Sequence, residues 1–98
     1  MAKTSFERFD AGGPRSAGFR VSGTLGFHEN TKVEQLVAEC LKREFEHVVF
    51  DFSALESLGG GVARILRGFV RQMNELGRVV AFVIASDVIQ EFLVDKET

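Results

Sequence analysis

Two short and almost continuously apolar runs, His47-Val48-Val49-Phe50-Asp51-Phe52 and Val79-Val80-Ala81-Phe82-Val83-Ile84, constrain most strongly what this chain can fold into. Each is too short for a stable helix, and both are rich in β-branched and aromatic side chains, so each predicts a buried strand. The lack of polar alternation predicts strands covered by helices on both faces, the usual setting of a parallel sheet. Between them, Val62, Leu66, Phe69, Val70 and Met73 recur at helical spacing after Gly59-Gly60-Gly61. That helix is expected to stop near Leu76-Gly77, where glycine supplies the left-handed residue that closes a helix. A strand, a helix and a second parallel strand require a right-handed crossover.

The remaining segments extend this alternation. Val33, Leu36, Val37, Cys40 and Leu41 lie on one helical stripe, with Asn30 or Thr31 as the expected N-cap. Before that helix, Phe19, Val21 and Thr24-Leu25 read as a strand with Arg20 and Ser22 on its other face, closed by Gly23 and Gly26. Ser5 to Phe9 reads as a short edge strand, and Ala11-Gly12-Gly13-Pro14 as a loop. After the last apolar run, Ser86 or Asp87 is placed to cap a short helix whose apolar face is Val88, Ile89, Phe92 and Leu93. The expected fold is α/β: one domain over residues 1–98, a mixed four-stranded sheet with a parallel core, and three to four flanking helices. Residues 1–17 supply an edge strand and a loop. A chain of 98 residues is too short for two ordinary domains.

Composition narrows the function classes. A formal net charge of -2 and the absence of a basic arm argue against nucleic acid as a partner. The longest apolar run, Val79 to Ala85, falls far short of the roughly 20 residues of a membrane helix, so no direct membrane insertion is expected. Met1 to Ser5 lack the apolar stretch of a secretion signal, and a cytoplasmic location is expected. Cys40, the single cysteine, cannot form an internal disulfide and sits among apolar helix positions, as a small buried hydrophobe would. All ten aromatic residues are phenylalanine, which reads as core filling. His28 and His47 have no further ligands in a metal-binding pattern, and no metal or cofactor is expected. Asp51 and Ser53 at a strand end have no triad partner in context, so they read as turn formers and the chain as a non-enzyme.

Val48-Val49-Phe50-Asp51-Phe52-Ser53-Ala54-Leu55 resembles the strand of the STAS domain family that ends in Asp-Leu-Ser-Gly-Val. Val21-Ser22-Gly23-Thr24-Leu25 is similar to the segment before that family's first helix, and Glu75-Leu76-Gly77 to the one before its last strand. The resemblance implies an anti-sigma-factor antagonist-like module that binds a regulatory kinase or scaffold. An alternative partner is the ATPase of a lipid-exporting transporter, since STAS modules also resemble small soluble proteins of such complexes. In phosphorylated members an Asp-Ser-Ser-Gly turn opens the second helix and its second serine accepts the phosphate. Counting on from Asp51 puts Gly59-Gly60-Gly61-Val62 there, with Gly61 at the acceptor position; Ser57 is the nearest hydroxyl under a shifted alignment.

The expected partner surface is Ser57, Gly59, Gly60, Gly61, Arg64, Arg67 and Arg71. The arginines are spaced three and four residues apart and share one helix face, either solvated or turned to an acidic partner. The glycine triplet lacks the Lys-Ser/Thr pair of a P-loop and the third glycine of a dinucleotide fingerprint, which leaves nucleotide binding as the lesser alternative. Whether the domain forms a homodimer is not decided by the sequence.

Overall fold

The computed structural model describes residues 4–93, apart from the side chains of Val88 and Phe92. Five strands and three α-helices follow one another as β1 (Ser5–Phe9), β2 (Ser16–Leu25), α1 (Asn30–Lys42), β3 (His47–Asp51), β4 (Leu55–Leu58), α2 (Gly60–Glu75), β5 (Val79–Val83) and α3 (Asp87–Leu93). A 3₁₀ turn, Phe27–Glu29, leads into α1. β1 pairs antiparallel with β2, while β2, β3 and β5 are parallel, so the sheet is mixed with a parallel core.

The α/β class and the alternating order match the expectation, and the sheet gains one strand. β2 runs for ten residues, and Gly23, expected to close it, lies within it instead. At φ 87°, Gly23 takes a conformation that costs a side chain energy, and the pairing register shifts there. Beyond this bend β2 exchanges β3 for β4, with Thr24 opposite Ser57 and Leu25 opposite Leu58. Four residues with buried ends and an exposed middle carry neither a strand nor a helix period, so β4 was not foreseen.

The core forms on one side of the sheet. Phe50 packs against Phe19, Phe52 and Phe82 with ring centroids 5.5–5.8 Å apart, and meets Phe69 of α2 edge-on at 6.2 Å. Val33 and Cys40 of α1, Leu66 and Met73 of α2 and Ile89 of α3 join the same buried cluster. The helical stripes therefore behave as the spacing predicts. Val88 and Phe92, expected on the apolar face of α3, have side chains outside the described residues.

The expectation of helices on both faces of the sheet is not met. Alternate positions face away from the helices: Val49 is only half-buried and Ala81, Val79 and Val83 are exposed. Apolar character alone reports that a strand can be buried, not that an element is available to bury it. The opposite face is instead sheltered locally. Phe9 lies across Gly18, in the space a side chain there would need, and the Arg20 guanidinium stands 5.2 Å from the Phe9 ring centre. Arg20 also bridges Glu7 at 3.1 Å and Asp51 at 3.3 Å.

Candidate partner-binding site

The start of α2 follows directly from β4. Gly59 is the N-cap; its N–H donates to the Leu25 carbonyl at 2.7 Å, tying the helix start to the end of β2. A Cβ at position 59 would stand 3.3 Å from that same carbonyl oxygen, so glycine allows the close approach. The helix does not begin after the triplet, as the spacing of Val62, Leu66 and Phe69 suggested; Gly60 and Gly61 are already its first residues. Both are exposed, at the helix end where amides without intrahelical partners gather.

The 3₁₀ turn before α1 packs beside this helix start. Glu29 folds back so that its Oε1 accepts the Gly26 N–H at 2.7 Å, while the Glu29 N–H donates to the Gly26 carbonyl at 3.0 Å. This reciprocal pair caps the 3₁₀ turn. α1 follows on from that turn with Glu29, not Asn30 or Thr31, at its N-cap position and without a side-chain cap, because the turn already carries the chain into the helix. Asn30, the first residue of α1, faces Gly61, where a Cβ would lie 3.0 Å from Asn30 Nδ2 and 3.3 Å from Oδ1. The Asn30 Oδ1 is buried and, among the described residues, has no hydrogen-bond partner.

Phe27, in the same turn, is 77% exposed, with its ring 5.0 Å from that of His28. It departs from the expectation that all phenylalanines fill the core, because the turn that aligns α1 leaves this side chain no apolar neighbour on the sheet. The only sequence signal for it was its position between Gly26 and His28, outside every periodic stripe.

The structure groups the expected surface residues into two places. Ser57 is exposed on β4, and together with Gly59, Gly60, Gly61 and exposed Arg64 it occupies the N-terminal end of α2. Arg67 and Arg71 lie farther along the helix, with Arg71 about 15 Å from Gly61 at 1.5 Å per residue. They line an open depression with Val70, Asn74, Glu75 and Leu93.

The residues weighed for chemistry fall elsewhere. Asp51 Oδ1 accepts the Ser53 N–H at 3.0 Å and the Ser53 hydroxyl at 2.6 Å, a local turn. These Ser53 bonds, and then Arg20, hold the Asp51 carboxyl below its usual range. Cys40 is fully buried, and desolvation pushes its thiol up to about 11. His28 and His47 are exposed, and among the described residues no group of three or more His, Cys, Asp or Glu side chains converges on a metal-sized site. No helix among them is long and apolar enough to cross a membrane.

The model of the STAS domain matches residues 13–95. The chain belongs to the STAS domain family. Solved structures agree at the level of the fold. An anti-sigma factor antagonist from Mycobacterium paratuberculosis superimposes with a TM-score of 0.76 at 18% identity, covering 91% of this chain and 74% of that one. The anti-sigma factor antagonist SpoIIAA in its unphosphorylated form gives 0.75 at 11% identity, covering 89% and 79%. The phosphorylated form of SpoIIAA, a Bacillus cell fate determinant, gives 0.72 at 11% identity, covering 89% and 78%. No curated protein sequence matches the chain.

Proposed function

We propose that this STAS domain is a non-catalytic docking module, similar to an anti-sigma-factor antagonist, whose partner surface is the start of α2 together with Phe27. Its partner is a regulatory kinase or scaffold, and the contact is constitutive at position 61. The observation that carries this reading is Gly61 itself. It is exposed at the second position of α2, where phosphorylated members of the STAS family that the chain resembles would present a hydroxyl, and it has none.

A phosphate there would add nearly two negative charges beside the first-turn amides, which favours the helix end but repels an acidic or apolar partner surface. Glycine leaves the surface permanently uncharged. Phe27 supports the reading from the other side of the same end: an exposed aromatic ring beside open backbone is the composition of an interface anchor.

The test uses the whole chain as bait in lysate of its source organism, with retained proteins identified by mass spectrometry and Gly61→Asp as the paired bait. Asp at the second helical position is favoured by the helix dipole but crowds the Asn30 amide, so the circular dichroism spectrum and melting of the variant are compared with those of the native chain, and loss of binding counts only with the fold retained. A kinase or scaffold retained by the native chain and lost with Gly61→Asp is the expected result. An unchanged set of retained proteins refutes the assignment of the surface, and a transporter ATPase in place of the kinase refutes the antagonist reading.

A further inference from the structure

We infer that the free edge of β5 is a self-association surface, on which two copies of this chain pair their β5 strands antiparallel about a two-fold axis through Ala81. Its residues are separate from the α2 surface.

The two edges of the sheet are built differently. β1, on one edge, carries Glu7 and Arg8, charges of the kind that discourage pairing with another chain. β5, on the other, reads Val79-Val80-Ala81-Phe82-Val83, with no charge, no proline and, among the described residues, no strand partner besides β3. Among the described residues, three of the four large apolar residues that are strongly exposed lie on β5 or just before it: Val79 at 49%, Val83 at 48% and Leu76 at 54%. An edge so composed is a template for a further strand.

The backbone shows which groups are available. The Val79 N–H donates to the Glu46 carbonyl and the Val83 carbonyl accepts from Phe52, so odd-numbered residues of β5 turn their polar groups to β3. Val80 and Phe82 then turn theirs outward. In an antiparallel pair centred on Ala81, Val80 of one copy meets Phe82 of the partner subunit and exchanges two hydrogen bonds with it; the symmetric pair repeats this.

Side chains select the second copy as occupant. The register sets Val79 opposite Val83 of the partner subunit, apolar against apolar at matched size. It places Ala81, the smallest residue of the strand, at the non-hydrogen-bonded pairing where Cα atoms approach to about 4.5 Å. The apolar band of Val49, Val79, Ala81 and Val83 on the uncovered face then continues across the axis. A closed two-fold contact also consumes both edges, which an unmatched strand would not.

Sedimentation of the intact chain tests this. A single copy has a mass of 10.9 kDa, and the expected species approaches twice that as concentration rises. Ala81→Lys, at an exposed position, sets two ammonium groups against each other on the axis and returns the mass to one copy while the circular dichroism spectrum stays unchanged. Ala81→Cys cross-links under mild oxidation, because its paired Cα separation lies in the disulfide range of about 4.4–6.8 Å. Val79→Cys does not, because the two copies of residue 79 lie roughly 14 Å apart in this register. Three results overturn the inference: a chain that sediments as one copy up to millimolar concentration, a dimer that Ala81→Lys leaves intact, and equal cross-linking by the two cysteine variants. The first leaves the edge to a strand from another protein, and the others place the dimer contact elsewhere.

Discussion

Three adjacent glycines at the start of α2 should respond in three different ways to the same substitution, because a Cβ at each meets a different neighbour. At Gly60 nothing lies within 4 Å and φ is not positive, so alanine fits without strain. It mainly reduces the freedom of the unfolded chain and should stabilise by about 0.4–1 kcal/mol. At Gly59 the new carbon stands 3.3 Å from the Leu25 carbonyl oxygen, a backbone atom already held at 2.7 Å by the Gly59 N–H. Alanine is also a poor N-cap, and with the overpacking the expected loss is about 1–3 kcal/mol. At Gly61 the contact is the Asn30 amide at 3.0 Å, the end of a side chain that can rotate, so gain and crowding nearly cancel. In a domain of this size about 1 kcal/mol moves Tm by 4–8 °C. Urea and thermal unfolding followed by circular dichroism therefore resolve the order Gly60→Ala above Gly61→Ala above Gly59→Ala. If Gly60→Ala destabilises as much as Gly59→Ala, the steric account of the triplet is wrong.

Phe27→Ala should change stability by less than about 0.5 kcal/mol, since its ring is mostly in solvent, yet abolish retention of the partner in the bait experiment; retained binding would remove Phe27 from the interface. Cys40, with its thiol raised to about 11 by burial, should resist a thiol reagent at pH 8 in the native chain and react once urea unfolds it. Rapid native labelling would contradict the packing of α1. The folded pKa of Asp51 is depressed, so its contribution to stability is present above the ordinary carboxylate range and lost as pH falls through the lower folded value. Asp51→Asn should therefore flatten the acid limb of the stability profile, and an unaltered limb would show that the Ser53 turn does not hold in solution.

The residues that announced the site in the sequence were those whose identity, rather than whose environment, carried the message. Gly61 is legible as a missing hydroxyl only through the resemblance to phosphorylated members of the STAS family. Phe27 was not, because ten phenylalanines in a short chain argue for a core, and only the packing of the turn before α1 puts this one outside. Nor could spacing show that Asn30, a plausible cap, would stand inside α1 as its first residue with its amide against Gly61. A cap is chosen by which backbone amides are left without partners, and that depends on the turn preceding the helix.

The sequence by itself determined the parts that depend on neighbours along the chain: the stripes of α1 and α2, the apolar strands β3 and β5, and the glycine at 77 that ends α2 with φ 74°. These follow from periodicity and local sterics, which one segment can express alone. The tertiary structure decided what each segment meets. It made Leu55–Leu58 a strand by offering the end of β2 beyond Gly23, packed all three helices on one face, and left Val79 and Val83 exposed on an edge that no described strand pairs. Pairing and coverage depend on segments far apart in the sequence, and an apolar residue carries the same identity whether or not another surface arrives to cover it.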